Sequence, residues 1–210
     1  MTDVHCHLPG GDASVREFLI GRDFFGVHPW DCTAWCESVR AGLAQKLASA
    51  PRAGVGEIGL DRLKSREIPP VMRRAFEDQL ALAAEYSRPV ALHGAKCWGQ
   101  VVAAAAPFAG RIPAFLFHGF SRSDGLVGDI AAINGFISVG PAILNDHAVN
   151  YRRLAAAVPA DLLLVETDRT EASGEVSARD VLEGLARVRG VAPGELERIT
   201  DANAERFFRP

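Results

Sequence analysis

Short runs of Val, Ile, Leu and Phe alternate along the chain with longer stretches in which apolar residues recur every third or fourth position. The short runs predict strands at Thr2–Cys6, Phe24–Val27, Ala53–Ile58, Pro89–Leu92, Ala114–Phe117, Gly135–Val139 and Asp161–Val165, with a weaker one at Glu17–Ile20. They are apolar on both faces, as parallel strands covered by helices are. Between them, Trp35, Val39, Leu43 and Leu47 form one apolar helical stripe. Pro69-Pro70 opens a further helix, with Val71, Ala75, Phe76, Leu80 and Ala83 on its inward face. Helices are also predicted at Trp98–Phe108, Asp124–Ile133, Asp146–Val158, Ser177–Arg189 and Pro193–Phe208. Such alternation gives βα units with right-handed crossovers. Seven or eight of them favour an α/β fold of the closed TIM type, a (β/α) barrel, over an open sheet. The stretch from Leu8 to Phe24 holds at most one short strand and no full helix, so the barrel is expected to be compressed or incomplete around strand 2.

Composition changes this picture little. The 210 residues are 48% hydrophobic and 23% charged, which is ordinary globular usage, and no Ser/Gly/Pro-rich linker divides them. One domain over residues 1–210 is expected. The longest apolar stretch, VVAAAAPFAG, is too short to span a bilayer, and no signal-peptide pattern precedes His5. A soluble cytoplasmic protein with no membrane association is the expectation. The four cysteines lack the paired spacing of a zinc ribbon and are read as reduced thiols. A net charge of −3 excludes a uniformly basic nucleic-acid binder, so any phosphate recognition must be local.

Candidate chemistry sits at the ends of the apolar runs. His5 and His7 form an H-x-H at the first strand, and alternation turns both imidazoles to one face. Glu57 follows a run that should be buried, where a carboxylate must be paired or metal-bound; its two oxygens could bridge two cations. His93 and His118 close two more runs, each followed at once by glycine, which allows a sharp turn out of a barrel mouth. Either alone reads as a hydrogen-bonded core histidine; both in equivalent positions point to ligands. LLLVETD ends another run, and both Glu166 and Asp168 could face inward. Asp168, nearer the rim, is better placed to orient a water and accept its proton. Asp61 suits a supporting partner or helix cap.

Six ligand-type residues exceed what one tetrahedral zinc needs and favour two metals, an arrangement suited to displacement at phosphorus. Basic residues follow the candidate ligands: Arg62 and Lys64 after Glu57, Lys96 after His93, Arg122 after His118, Arg169 after Asp168. In a barrel their loops crowd around one mouth. His28, in GVHPW, also follows a strand and could contact substrate, with Pro29 and Trp30 shaping the turn. His147 is expected to face solvent.

The ordered set DVHCHL, GVHPW, GEIGLDR, FEDQLALAAEYSRPVALHGAK, FHGFSRS, FISVG, LLLVETD and NAERFF resembles the TatD family of metal-dependent hydrolases, from Asp3 to Phe208 and in the family's order. The resemblance implies a TIM barrel with divalent cations and deoxyribonuclease activity, including 3′→5′ exonuclease action. It implies that His5 and His7 hold a first metal, that Glu57 bridges to a second held by His93 and His118, and that Asp168 completes the first site and serves as general base. The expected cofactors are two divalent ions (Mg, Mn or Zn), and the expected substrate is DNA or another phosphodiester. His28, Lys96, Arg122 and Arg62 are the candidate substrate contacts, and no obligate protein partner is inferred. Three departures from the family pattern concern the cleft: the short stretch after Leu8, Lys96 where many members carry arginine, and Arg169-Thr170 where a small residue and proline are commoner. Lys96 cannot make the bidentate phosphate contact of an arginine. Two alternatives stand beside this expectation: an amidohydrolase-type enzyme acting on an amide, lactone or ester, and a non-catalytic metal-binding barrel. Many amidohydrolase-superfamily members bridge their metals through a lysine on the fourth strand, where this chain carries Glu57.

Overall fold

The computed structural model describes residues 1–121, 124–171 and 176–208. Among them, eight strands run β1 (Thr2–Cys6), β2 (Arg16–Leu19), β3 (Phe24–Phe25), β4 (Gly54–Asp61), β5 (Val90–Ala95), β6 (Phe115–Phe117), β7 (Gly135–Val139) and β8 (Leu163–Val165). The α-helices are α1 (Glu37–Ser49), α2 (Pro70–Glu85), α3 (Trp98–Ala105), α4 (Val127–Ala132), α5 (Val149–Ala157), α6 (Ala178–Arg189) and α7 (Pro193–Phe208). All strand pairings are parallel, β1 with β2 and β3 through β8 in sequence order. Two seams join these ladders into a TIM-type barrel. At one, Ile20 bridges to Phe24 and the Gly21 N–H donates to the Phe24 carbonyl at 2.8 Å. At the other, the chain leaving β8 lies against β1: the Asp168 N–H donates to the His5 carbonyl at 3.0 Å, and the His7 N–H to the Arg169 carbonyl at 2.9 Å.

The first third is compressed as the pattern suggested. No helix separates β1, β2 and β3, and β3 has only two residues. The loop after His7 is held instead by Arg169. Its guanidinium donates to Glu17 on β2 at 3.1 Å, and the same Glu17 oxygen accepts from the Gly10 N–H at 2.7 Å. A Cβ on Gly10 would lie 2.2 Å from the guanidinium, so any side chain there would push Arg169 off Glu17. Arg169 is therefore a clamp rather than a free rim cation. Its side chain is 18% exposed and that of Glu17 12%, so removing one partner strands a largely buried charge. Arg169→Ala is expected to cost about 2 kcal/mol, lowering the melting midpoint by roughly 4–8 °C for a chain of this size. Thermal denaturation checks this; an unchanged midpoint would show that the pair contributes nothing.

The helices pack outside the barrel around a large apolar layer, while a second cluster fills its interior. Phe24, Ala91, Leu116, Phe136 and Leu164 meet Ala204 and Phe207 of α7 there. Phe207 is fully buried, its ring 6.2 Å from Phe24 and 6.0 Å from Phe136. Strand alternation then carries each interior position to a polar one two residues on: Ala91 to His93, Leu116 to His118, Phe136 to Ser138, Leu164 to Glu166. An apolar plug thus lies under a polar layer.

Local differences from the sequence pattern have simple causes. β4 and β5 run past their apolar segments, since Gly59, Leu60 and Asp61 stay paired with His93, Gly94 and Ala95. On α2 the inward position is Met72, and Val71 is 41% exposed. The α-helix over 98–108 stops at Ala105, and Pro107 lies in the 3₁₀ turn that follows. The segments over 124–133 and 146–158 become α-helical at Val127 and Val149. Cys32 lies in a 3₁₀ turn and Cys36 at the N-cap position of α1, without a side-chain capping bond. All four cysteines are free. No helix among the described residues is long and apolar enough to cross a membrane.

Candidate metal centre

Strand ends bring His5, His7, Glu57, His93, His118 and Asp168 to one mouth of the barrel. His5 lies on β1, Glu57 on β4 and His93 on β5; His7, His118 and Asp168 follow β1, β6 and β8. Glu57 is central. Its Oε2 lies 3.4 Å from His5 Nε2 and 3.6 Å from His7 Nε2; its Oε1 lies 2.7 Å from His93 Nδ1, 2.6 Å from His118 Nε2 and 3.6 Å from His28 Nε2. Asp168 Oδ1 closes the first side, 3.6 Å from His5 Nε2 and 3.5 Å from His7 Nε2. Asp168 adopts φ +47°, a left-handed conformation that aspartate tolerates better than most residues.

The spacing of these donors bears on whether a cation fits. Four donors placed tetrahedrally about 2.1 Å from a zinc-sized ion stand about 3.4 Å apart. The His5, His7, Glu57 Oε2 and Asp168 contacts, 3.4–3.6 Å, match that edge. The His93 and His118 contacts to Oε1 are shorter and are hydrogen-bond distances. His118 also stacks on His5 at 4.1 Å, and its donor atom falls in one group with those of His5 and Asp168, so it stands between the two halves. Both ring nitrogens of fully buried His5 lack a hydrogen-bond partner among the described residues. A buried nitrogen without a partner is costly, and a cation bound through Nε2 relieves part of that cost. His/Glu/Asp groups able to hold a metal are thus present.

Electrostatics concentrate opposite charges here. Burial alone would raise the Glu57 carboxyl, but His118, His28 and His5 outweigh it and hold it well below the ordinary range. Burial also opposes charge on His118, yet Glu57, Glu166 and Asp168 raise it to about 10. Hydrogen bonds to Asp168 and Glu57 raise His7 to about 9. Burial, then the neighbouring His118, lowers His5.

Hydrogen-bond partners separate the histidines by role. Asp61 Oδ2 accepts from His93 Nε2 at 2.9 Å, which leaves Nδ1, 2.7 Å from Glu57 Oε1, as the nitrogen available to a cation when one is bound. For His28 the polarity is reversed. Its Nδ1 accepts from the Trp30 backbone N–H at 3.1 Å, so in the neutral ring Nε2 carries the hydrogen pointed at Glu57 Oε1. That tautomer donates to Glu57, although the His28 donor atom also falls in one group with those of Glu57 and His93 that could hold a metal.

Supporting residues include several that run patterns could not single out. Asp61, 2% exposed, also accepts from the Trp30 indole N–H at 3.0 Å, so it is a partner of His93 and no helix cap. Gln79 of α2 holds Val27, just before His28, by accepting from its N–H at 2.7 Å and donating to its carbonyl at 3.2 Å. A polar residue between Phe76 and Leu80 on a buried stripe was the available signal. Asp3 accepts from the Thr167 hydroxyl at 2.6 Å and from its N–H at 3.1 Å, and burial pushes the Asp3 carboxyl up to about 6. Glu166 lies below Asp168, 1% exposed, accepting from the Gly119 N–H at 2.7 Å and the Ser138 hydroxyl at 2.5 Å. Burial raises it to about 7, and it lies 3.9 Å from His118 Nδ1. Gly119 turns the chain out at φ +58°, as expected. Gly94 does not; β5 continues through it, and a Cβ there would lie 2.1 Å from the Trp98 ring.

An open cleft of about 950 Å³ borders the cluster, lined by Arg62, Lys96, His93, His118, Ser121 and Asp168 among others. Arg62 is partly tied down, its Nε donating to the Arg66 carbonyl at 3.0 Å. Lys64 Nζ sits 4.0 Å from the Trp30 ring centroid. Arg122 lies outside the described residues. His147 is exposed.

The family model for TatD related DNase matches residues 20–209. The 3′-5′ ssDNA/RNA exonuclease TatD of Cronobacter sakazakii is 31% identical over 197 residues, 87% of this chain and 75% of that protein. Among solved structures, the TatD homologue YjjV of Escherichia coli K12 superposes with a TM-score of 0.86 at 23% identity, covering 100% of this chain and 98% of that one. A TatD-family hydrolase from Entamoeba histolytica gives 0.72 at 15% identity, over 93% and 76% of the two chains. The two superpositions speak for the fold alone, and the family match carries the assignment: this chain is a member of the TatD related DNase family.

Proposed function

We propose that the chain is a divalent-metal-dependent phosphodiesterase acting on single-stranded DNA or RNA from the 3′ end. In this proposal His5, His7, Glu57 and Asp168 hold one cation, and Glu57, His93 and His118 a second, which would be Mg²⁺, Mn²⁺ or Zn²⁺. The observation that carries it is Glu57, whose two oxygens divide the histidines into two groups. When bound, the cations supply Lewis acidity to a phosphoryl oxygen and lower the pKa of water. The chain's own residues do the rest. Asp168, with its side chain 45% exposed at the rim, orients the attacking water and takes its proton. His28 offers its Nε2 hydrogen to a phosphoryl oxygen, and Lys96 and Arg62 place positive charge along the cleft. Asp61 holds His93 from behind through a hydrogen bond, and Glu166 places a buried carboxylate 3.9 Å from His118 Nδ1. β4 carries no lysine, so nothing favours the lysine-bridged amidohydrolase arrangement.

The test is to incubate the protein with end-labelled single-stranded DNA, duplex DNA and RNA, with nucleotide monoesters and simple esters alongside, in Mg²⁺, Mn²⁺ or Zn²⁺. Stepwise shortening from the 3′ end, abolished by chelation, is expected. Ester hydrolysis without phosphodiester cleavage would overturn the proposal.

Metal loading should depend on pH in a defined direction. His7 and His118, raised to about 9 and 10, hold protons at neutral pH that a cation must displace. Affinity for Mn²⁺ is therefore expected to rise with pH towards those values, by up to about tenfold per pH unit for each proton displaced. Calorimetry in two buffers of different ionisation enthalpy counts the protons; none released would contradict ligation by these histidines.

A further inference from the structure

We propose that Trp30, with Lys64, forms a nucleobase subsite beside the candidate metal centre, gripping the base next to the scissile phosphate by stacking. This rests on the phosphodiesterase proposal above and names the part of the substrate that the short cleft recognises. Trp30 is 53% exposed, unusual for so large an apolar side chain. It belongs to a local pattern among the described residues. Exposed Leu8, Trp30 and Leu63 each come one or two positions after a residue of the cluster: His7, His28 and Asp61. Half of the six exposed large apolar side chains among the described residues therefore lie close in sequence to the cluster; Val71, Val149 and Val191 are elsewhere.

The indole is held in place. Its Nε1 donates to Asp61 Oδ2 at 3.0 Å, and its ring meets His28 edge-on at 5.0 Å. Both neighbours lead directly to the centre, since Asp61 bonds His93 and His28 Nε2 lies 3.6 Å from Glu57. A group on the indole is thus two side chains from Glu57, within reach of a strand whose stacked nucleotides rise about 3.4 Å each. Lys64 Nζ covers one face of the ring 4.0 Å from its centroid, so a base stacking on that face displaces the ammonium towards the attached phosphate. An aromatic platform with adjacent positive charge is how single strands are bound without sequence preference. A duplex end, with its bases already stacked, would gain less.

The test separates stacking from support of the centre. Fluorescence anisotropy would measure binding of a phosphorothioate-linked thymidine oligonucleotide, which resists cleavage, and of the same strand with abasic units at its 3′ end. Wild type is expected to prefer the intact strand by roughly tenfold, within the range stacking gives. Trp30→Ala should lose that preference and leave abasic binding unchanged. Trp30→Phe, which keeps a ring but loses the bond to Asp61, should retain most of it. Lys64→Ala should weaken both strands alike. Equal binding of both strands by wild type, or an equal loss on both in Trp30→Ala, would overturn the subsite and leave Trp30 as a support for Asp61. Cleavage is assayed separately: discrimination without any metal-dependent cleavage would sink the hydrolase proposal and keep the subsite, whereas cleavage without discrimination would do the reverse.

Discussion

Glu57→Gln is expected to reduce turnover of a single-stranded oligonucleotide by roughly 10³-fold or more. A bridging carboxylate controls several kcal/mol of charge stabilisation, and about 4 kcal/mol corresponds to that factor. The physical reason lies in the crowding around one carboxylate. Five imidazoles lie within 3.6 Å of its two oxygens, and the group is 4% exposed, so solvent cannot replace its charge. An amide keeps the shape and removes the charge. Metal analysis of the purified variant should show fewer bound ions than wild type. A second readout is independent of activity: without Glu57, the largest influence raising it, His118 should titrate below its value of about 10 in the metal-free protein. An NMR titration would show the shift. Unchanged metal content together with unchanged turnover would remove Glu57 from the centre.

Asp168→Asn should behave differently. General-base action is worth roughly 10²–10⁴ in rate, so kcat is expected to fall by that much with KM little altered. Folding should survive, because asparagine also tolerates a left-handed φ and the Asp168 N–H bond to the His5 carbonyl is made by the backbone. The histidines and Glu57 remain to hold metal, so ion content should drop far less than in Glu57→Gln. Single-turnover rates and metal analysis on one preparation separate the two effects. An Asp168→Asn protein as fast as wild type would move the proton acceptor elsewhere, and Glu166, raised to about 7, would be the group to examine.

Much of the barrel was legible because its strands are apolar on both faces. β1 and β7 have the bounds their apolar runs suggested, and the weak run before Ile20 is a strand. The ends of β4 and β5 were hidden, since strand pairing continues through Asp61 and Gly94, where the apolar pattern has stopped. The six ligand-type residues could be picked out because each interrupts or closes an apolar run, and the fold gathers them at one mouth. Their supports were harder to see. Asp61 was noticed without its partner. Gln79 shows only as a polar residue on a buried stripe; its partner Val27, like the Asp3–Thr167 pair and the Glu166–Ser138 bond, depends on contacts between distant elements, and no local pattern encodes those. Arg169 reads as a rim cation from the sequence for the same reason: Glu17, which holds it, lies 152 residues earlier.

The seam between β1 and the end of β8 also dictates an order of events. Asp3 and Thr167, which close it, are 164 residues apart, and two histidines of the centre ride on the β1 side. Contacts of such long range are made only after a large loss of chain freedom. A chain still emerging from the ribosome, with residues beyond Val165 not yet released, would expose His5 and His7 without Asp168 to face them. On the proposed ligand assignment, full cation capture would therefore come late in biogenesis, as the step that locks a nearly finished barrel.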